Sequence, residues 1–363
     1  MKLLFVVDSF RGGAGNVIQL LAQAFYRRKY EVSILLLNGK LVDPRYDMCG
    51  TEIIDYPLGK YAKGYTPFDR VLKSVKVIRE QLERIQPDVI VSFLTELNIL
   101  CCMANKKKRP LIISERNDPA KDRIKKYWKV LRSRYYRFAD RIVVQCAGFR
   151  GFSGGRFIDK CSVIPNPVLE PKVTRPAGTI HTPLRLVSLG RLSKQKNFKW
   201  MIDSMELLKK YDSDFTLSIY GSGSEENELR SYIEQKQLRD NVFLKGFVAD
   251  TYSVLAGSDI YLMTSDYEGF PNALSEAMAV GLPAVSRLCH EGIKSLIDNG
   301  KNGFVTALDD MQSFVENIIR LKNDPELYSF IGNNAKTVSD KYNTDKIALL
   351  WEKEITDSLN RAV

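Results

Sequence analysis

Short apolar runs recur along the chain, and most are followed by a polar or glycine-containing loop and then a segment of helical periodicity. In the first half these runs cover residues 2–7, 32–37, 89–93, 111–114 and 140–145. Strands that are buried on both faces are continuously apolar, because helices cover the sheet from either side. The alternation of strands and helices therefore predicts an α/β fold with a mostly parallel sheet.

The same alternation of predicted strands and helices restarts after a polar linker at residues 170–183. This linker contains proline and glycine and marks the best domain boundary. Strands are predicted beyond it at residues 184–189, 215–220, 241–244, 260–263, 284–285 and 303–305. Two such sheets predict two Rossmann-like domains that face each other across a cleft, which we place at residues 1–168 and 169–345.

A stretch in the second half combines a strand, a polar loop and a helix. The helix is expected to begin with Pro271 in its first turn and to stop at Gly281. Its first N–H groups, near residues 272–274, have no helical partner and lie at the positive end of the dipole, so they form an anion site. Glu268 and Glu276 flank this site, which suits a ligand that carries phosphate together with hydroxyl groups.

Two cations follow the strand at residues 184–189. Arg191 and Lys196 lie just beyond its carboxyl end, where α/β folds bind ligands. Their spacing allows both to reach one diphosphate, the arginine as a fork and the lysine as a point charge. Lys194 is the less favoured alternative to Lys196.

Composition narrows the possible partners. The chain has 363 residues and a formal net charge of +11, which favours an anionic partner. No groove-reading motif for nucleic acid is present, so an anionic membrane surface or a phosphorylated substrate is preferred. No signal peptide or membrane span is evident, and we expect a cytoplasmic protein. Six cysteines without a Cys-x-x-Cys pair indicate reduced core residues, and two histidines make a metal site unexpected.

Two predicted helices are strongly basic. Residues 67–86 carry a stripe formed by Arg70, Lys73, Lys76 and Arg79. Residues 118–138 combine eight cations with an apolar face, as expected of a helix that lies on an anionic membrane. Two alternatives stay open: the stripe is a solvated face, or the apolar face packs on the neighbouring sheet.

The spacing Glu268-x7-Glu276 lies within Gly-Phe-Pro-Asn-Ala-Leu and Glu-Ala-Met-Ala-x-Gly-x-Pro, and Gly-Arg-Leu precedes Lys196-Asn197. Together these motifs resemble the large retaining glycosyltransferase family of GT-B fold (glycosyl transferases group 1, family 4). The resemblance implies transfer of a sugar from a nucleotide-diphosphate donor without a metal or other cofactor. It also implies that the last helix, about residues 346–363, packs back on the first domain.

The resemblance assigns roles to individual residues. Arg191, Lys196 and Glu268 are the implied catalytic residues, with the two cations holding the leaving diphosphate. Glu276 is expected at the ribose hydroxyls, and Gly13, in the first glycine loop, over the donor diphosphate. The implied donor-binding set is completed by Phe247, Gly269, Phe270, Pro271, Asn272, Ala273 and Leu274.

One departure from the family affects the first domain. Many members carry a histidine at a strand end there, whereas His181 and His290 lie elsewhere in this sequence. The matching strand end reads Ser-Glu-Arg-Asn at residues 114–117, and Glu115, Arg116 or Asn117 are candidate contacts to the sugar or the acceptor. Lys73 and Lys76 are further candidates on the acceptor or membrane side.

The basic helices and the resemblance suggest a glycan acceptor linked to a polyprenyl diphosphate, at the inner face of the cell membrane, in bacterial surface-polysaccharide assembly. The resemblance to the family favours a UDP-hexose or UDP-N-acetylhexosamine donor over a GDP-sugar. The alternatives are a non-catalytic nucleotide-sugar-binding scaffold of the same fold and a sugar-nucleotide epimerase. A dinucleotide oxidoreductase is disfavoured, because the first glycine loop lacks Gly-x-Gly-x-x-Gly.

Overall fold

The computed structural model describes residues 1–10, 12–38, 48, 50–56, 66–122, 124–175 and 178–360. The chain divides into two compact units. Unit 1 comprises Met1–Pro167 and Thr344–Val363, and unit 2 comprises Val168–Asn343.

The described part of unit 1 contains a parallel sheet of seven strands in the order β3-β2-β1-β4-β5-β6-β7. The strands are β1 (Lys2–Val7), β2 (Glu31–Leu36), β3 (Thr51–Asp55), β4 (Val89–Phe93), β5 (Leu111–Ser114), β6 (Arg141–Val144) and β7 (Cys161–Val163). Its longer helices are α1 (Gly12–Arg27), α2 (Pro67–Ile85), α3 (Thr95–Asn105) and α4 (Lys126–Tyr135). The central strands are buried along almost their whole length, as their apolar sequences require.

Unit 2 contains a six-stranded parallel sheet, again counted over the described residues, in the order β10-β9-β8-β11-β12-β13. Its strands are β8 (Leu184–Leu189), β9 (Phe215–Tyr220), β10 (Val242–Gly246), β11 (Ile260–Met263), β12 (Ala284–Arg287) and β13 (Phe304–Thr306). Its helices are α5 (Phe198–Tyr211), α6 (Glu226–Gln235), α7 (Thr251–Ala256), α8 (Asn272–Ala279), α9 (Met311–Asn323), α10 (Pro325–Ala335) and α11 (Thr337–Lys341).

The last helix, α12 (Thr344–Asn360), belongs to unit 1 although it follows unit 2 in sequence. Trp351 is fully buried and stacks on Phe93, with ring centroids 5.6 Å apart. The Glu352 carboxylate accepts from the Tyr30 hydroxyl at 2.7 Å and pairs with Arg28 at 3.3 Å. Burial, followed by the bond to Glu352, raises the pKa of Tyr30 to about 12. An aromatic stack and an ion pair thus join α12 to the sheet and to the residues that follow α1.

A buried carboxylate holds the start of unit 2 in place. Asp259 is fully buried and accepts from Arg175, from His181 Nδ1 at 2.8 Å and from the Arg185 N–H at 2.7 Å. His181 therefore has a structural partner in the linker. His290 accepts from the Gly292 N–H at 2.9 Å, beyond β12.

The sequence prediction missed two edge strands. β3 is only partly buried and has two isoleucines among five residues, so its apolar signal is weak. β7 has three residues, which is too short for a periodic pattern.

The prediction of a basic helix at residues 118–138 placed the start of the helix too early. Helix α4 begins at Lys126, and among the described residues before it Asp118 caps a turn by accepting from the Ala120 N–H at 2.9 Å. Only part of its expected apolar face is covered: Trp128 is 5% exposed, whereas Tyr127 is 40% exposed. The apolar face therefore packs on the domain in part, and its membrane role stays a prediction.

We predict that Trp351→Ala destabilises unit 1 by about 3–5 kcal/mol, because it deletes a large buried side chain and leaves a cavity against Phe93. Leu350→Ala, one position away and 43% exposed, is the control and should change stability little. Urea unfolding followed by far-ultraviolet circular dichroism measures both. Equal stability of the two variants would contradict the packing of α12.

Candidate functional site

The candidate site lies where the strand order of unit 2 reverses. β8 and β11 are neighbours in the middle of the sheet. The strands that follow β8 in sequence extend toward one edge, and those that follow β11 extend toward the other. Open parallel sheets bind ligands at the carboxyl ends of the strands that flank such a switch point. Residues 190–197 follow β8 and residues 264–271 follow β11, so both predicted motifs begin at this place.

Hydrogen bonds join the two loops to each other. Thr264 Oγ1 donates to the Lys196 carbonyl at 3.1 Å, and the Asp266 N–H donates to the Gln195 carbonyl at 2.9 Å. Gln195 Nε2 returns a bond to the Tyr267 carbonyl at 2.9 Å, and Asn197 Nδ2 donates to Asp266 Oδ1 at 2.8 Å. We call residues 190–197 and 264–268 the loop pair. Because main-chain groups are bonded on both sides, one loop cannot move without the other.

Glu268 and Lys196 meet inside the loop pair. Lys196 Nζ lies 2.6 Å from Glu268 Oε1, and Ser265 Oγ donates to the same oxygen at 2.6 Å. Glu268 is 7% exposed, so its carboxylate is held in one orientation. The structure therefore brings together two of the three predicted catalytic side chains, as a partly buried ion pair.

Helix α8 starts immediately after this pair. Pro271 occupies the position before the first helical residue, one residue earlier than expected, and the first helical bond runs from the Ser275 N–H to its carbonyl at 3.1 Å. The N–H groups of Ala273 and Leu274 therefore have no acceptor within the helix. Gly281, with φ of +82°, lies just beyond the helix end and supplies the left-handed residue that stops it.

Glu276 lies about one turn into α8 and is partly buried. Thr251 Oγ1, at the start of α7, donates to its Oε2 at 3.1 Å. Burial, followed by the negative charges of Glu268 and Glu276, raises the pKa of Tyr261 on β11. Both carboxylates of the motif therefore lie near enough to Tyr261 to disfavour its ionised form.

Arg191 and the backbone around it are placed by two glycines after β9. Arg191 itself is exposed. A Cβ on Gly221 would lie 1.9 Å from the Gly190 carbonyl oxygen, and one on Gly223 would lie 2.1 Å from the Leu192 carbonyl oxygen. Only glycine permits this approach, so the loop that carries Arg191 rests directly on the loop after β9.

Sequence reasoning missed a buried arginine under the loop pair. Arg287, at the end of β12, is 3% exposed. Its Nη1 donates to the Thr264 carbonyl at 2.6 Å and to Asp266 Oδ1 at 3.1 Å, and its guanidinium lies 4.5 Å from the Trp200 ring centroid. An arginine that ends an otherwise apolar strand was the available signal.

The remaining predicted residues are more scattered. Gly269 and Phe270 are buried beside the loop pair, and the Phe270 ring contacts Tyr342 edge-on at 5.4 Å. Phe247 follows β10 and is 80% exposed. Gly13 lies in α1 of unit 1. Asn272 begins α8, as the motif requires.

The predicted acceptor residues lie in unit 1. Arg116 and Asn117 follow β5, and the Asn117 side-chain oxygen accepts from the Asp118 N–H at 3.1 Å. Lys73 and Lys76 lie on α2, where Lys76 is 3.9 Å from Glu80. The basic stripe on this helix is therefore partly neutralised by its own acidic residues.

Two features are absent from the described residues. No group of three or more His, Cys, Asp or Glu side chains is arranged to hold a metal ion there. Within the same ranges, no helix is both long and apolar enough to cross a membrane.

Comparison with solved structures identifies the fold. A crystal structure of an S. aureus TarM variant in complex with Fondaparinux, alpha-GlcNAc-glycerol and UDP matches with a TM-score of 0.80 at 15% identity, over 98% of this chain and 99% of that one. The predicted GT-B fold, with two Rossmann-like domains of parallel strands, is confirmed.

Relatives in sequence fall into two groups. The colanic acid biosynthesis glycosyltransferase WcaL of Escherichia coli, itself a putative assignment, is 36% identical over 44% of this chain and 39% of its own length. The chain spans less than half the length of the first curated relatives that it matches. In contrast, the N-acetylgalactosamine-N,N'-diacetylbacillosaminyl-diphospho-undecaprenol 4-alpha-N-acetylgalactosaminyltransferase of Campylobacter jejuni is 27% identical over 95% of this chain and 96% of its own.

Family profiles match both halves of the chain. The first half matches the glycosyl transferase 4-like domain over residues 12–167, and the second matches the glycosyl transferases group 1 profile over residues 172–338. The loop pair and α8 lie within the second match. Residues 172–338 are therefore similar to the glycosyl transferases group 1 family, and residues 12–167 to the glycosyl transferase 4-like domain.

Proposed function

We propose that the protein is a retaining glycosyltransferase that moves a hexose or N-acetylhexosamine from a UDP donor to a glycan acceptor. The observation that carries this proposal is the arrangement at the β8–β11 switch point. Arg191, the Lys196–Glu268 ion pair and the start of α8 all lie there, within the residues that match the glycosyl transferases group 1 profile.

The chemistry follows from the charge that develops during the reaction. Breaking the bond between the sugar and the nucleotide diphosphate builds negative charge on the leaving oxygen. Arg191, Lys196 and the N–H groups of Ala273 and Leu274 stabilise that charge as it forms. Fixed positive charges and helix N–H groups perform this role without a metal ion, so we propose metal-independent transfer.

Glu268 and Glu276 have different tasks in this proposal. Glu268 orients Lys196 through their 2.6 Å contact and accepts from hydroxyl groups of the donor sugar. Glu276, one helical turn into α8, accepts from the ribose hydroxyls. Phe247, Gly269, Phe270, Pro271 and Asn272 complete the donor surface of unit 2.

The retaining stereochemistry is carried over from the Glu-x7-Glu resemblance. The acceptor hydroxyl attacks the anomeric carbon from the face that the diphosphate leaves, and a donor phosphate oxygen takes the acceptor proton. The glycosidic bond to the acceptor forms as the bond to the diphosphate breaks.

Relatives support the donor and acceptor classes. UDP is bound in the TarM complex, and the name of the Campylobacter relative specifies an N-acetylgalactosaminyl group and a diphospho-undecaprenol acceptor. We propose a UDP-sugar donor, an acceptor linked to a polyprenyl diphosphate, and a role in surface-polysaccharide assembly.

A basic surface of unit 1, beside α4, supports a location at a membrane. An open groove of about 730 Å³ beside α4 is lined by Lys129, Val130, Ser133, Arg134, Arg137 and Arg156, with no acidic residue among these described lining residues. Val130 is 67% exposed, so an apolar side chain lies among four cations. Such a surface suits anionic lipid head groups. We propose that the protein is cytoplasmic and lies on the inner face of the cell membrane.

Arg191→Ala and Lys196→Ala should each lower turnover by about 10²- to 10³-fold, because each removes a fixed cation from the leaving diphosphate. Release of UDP from UDP-glucose, UDP-N-acetylglucosamine and UDP-N-acetylgalactosamine, with water or glycan acceptors, measures the effect. Lys194→Ala is the matched control, since Lys194 lies on the same turn and is exposed. Near-parental rates in both variants would contradict the diphosphate assignment, and a non-catalytic scaffold would then be favoured.

Binding to vesicles that contain anionic phospholipid should weaken as salt rises, because exposed charges are screened. Arg134→Gln with Arg137→Gln should weaken it further, whereas Lys209→Gln on α5 of unit 2 should have little effect. Co-sedimentation measures the bound fraction. Vesicle binding that changes neither with salt nor with the two arginine substitutions would contradict the electrostatic contribution.

A further inference from the structure

A guanidinium without a counter-ion lies at the carboxyl edge of the unit 1 sheet. Arg116 follows β5 by two residues. Its Nη1 donates to Ser114 Oγ at 3.1 Å and its Nη2 to the side-chain oxygen of Asn166, while the group lies 4.8 Å from the centroid of the Phe93 ring. All three partners are neutral, so the positive charge is positioned but not compensated.

The nearest carboxylate in sequence does not serve as the counter-ion. Glu115 directs one oxygen to Thr95 Oγ1 at 2.6 Å and the other to the Tyr136 hydroxyl, and it is 1% exposed. None of the described residues forms an ion pair with Arg116. The Arg116 side chain is partly buried, and desolvation lowers the pKa of its guanidinium.

A second polar side chain at this edge lacks a partner. Gln145 is 3% exposed, and neither its Nε2 nor its Oε1 is hydrogen-bonded within the described structure. Arg116 Nε is unpaired as well. Ser114 pairs with Val143 across β5 and β6, so Arg116 and Gln145, each two residues further on, follow neighbouring strand ends at the same level. Asn166, also 3% exposed, follows β7.

Three adjacent strand ends thus bring an arginine fork and two amides to one edge of the sheet. Buried polar groups are almost always hydrogen-bonded, and leaving them unpaired costs free energy. An oxyanion supplies what is missing, because it neutralises the guanidinium. It accepts from Arg116 Nε and Gln145 Nε2 once side-chain rotation uncovers these two buried atoms. The carboxyl edge of a parallel sheet is also where α/β folds bind ligands.

We propose that Arg116, Gln145 and Asn166 form an oxyanion receptor for a phosphate or diphosphate group. The receptor rests on the geometry of unit 1 alone. The source of the phosphate rests on the proposed function, which offers two: the diphosphate of the nucleotide sugar and the diphosphate of a lipid-linked acceptor.

The test uses the full chain with Arg191→Ala and Lys196→Ala as background, so that the cations of the loop pair do not contribute. Inorganic pyrophosphate is the probe, with sodium chloride of equal ionic strength as reference, and calorimetry gives its dissociation constant. Arg116→Met should weaken pyrophosphate binding about 10- to 100-fold, as expected for loss of charged hydrogen bonds. Arg132→Met is the control, because Arg132 is a buried arginine of the same unit that donates to the Pro119 carbonyl at 3.0 Å.

Gln145→Met keeps the test decisive if Arg116→Met fails to fold. Because Gln145 makes no hydrogen bond in the described structure, this change should leave the melting temperature equal or higher while weakening pyrophosphate binding. A purely structural role predicts the opposite: unchanged pyrophosphate binding in both variants and a lower melting temperature for Arg116→Met. That result would overturn the proposal.

Titration of UDP into the chain with an intact loop pair separates the two sources. If the receptor serves the donor, Arg116→Met weakens UDP binding as much as pyrophosphate binding. If it serves the acceptor, UDP binding is unchanged while pyrophosphate binding falls. Pyrophosphate binding through Arg116 in a chain that does not bind UDP would contradict the proposed function and leave the receptor standing.

Discussion

The bonds between the two loops at the β8–β11 switch point are the constraint on which the rest of the site depends. Arg287 supports them from below, and the glycines after β9 hold the Arg191 loop from the side. A cation that stabilises charge in a transition state must already be in place. Moving it into position during the reaction would cost free energy and offset the stabilisation. In the proposed function, the bonds between the loops supply this preorganisation for Lys196 and for the start of α8.

The fold was predictable because its strands are short apolar runs with helices between them, and this pattern depends on local sequence. The edge strands β3 and β7 were missed because edge strands are half-buried and carry less apolar signal. The start of α4 was misplaced because the lysines and arginines of residues 118–125 are compatible with a helix, whereas Asp118 binds the backbone after it and favours a turn.

The candidate site was predictable where its residues lie in contiguous motifs, as for Glu268 to Glu276 and for Arg191 to Lys196. It was not predictable where the partner is distant in sequence. The contact of Arg287 with Thr264 and Asp266, and the resting of Gly223 on Leu192, arise only when neighbouring strands are ordered as they are. The contact between Lys196 and Glu268 also crosses 72 residues, and neither residue alone indicates the other.

The two units present their charges in different ways. In unit 2 the lysine of the site is paired with a carboxylate, whereas in unit 1 Arg116 has neutral partners only. A paired cation is held in orientation and is partly neutralised, while an unpaired one attracts an anion more strongly and destabilises the folded chain. Functional sites are where proteins commonly retain such unfavourable arrangements.

Calorimetric titration of the purified protein with UDP, GDP, ADP and NAD tests the central claim most directly, with Glu276→Ala beside it and the exposed Glu291→Ala as control. The loop pair and α8 predict that UDP binds, that NAD does not, and that Glu276→Ala alone loses the ribose contact and binds UDP much more weakly. Binding of NAD, or UDP binding that Glu276→Ala leaves unchanged, would contradict the assignment of this site.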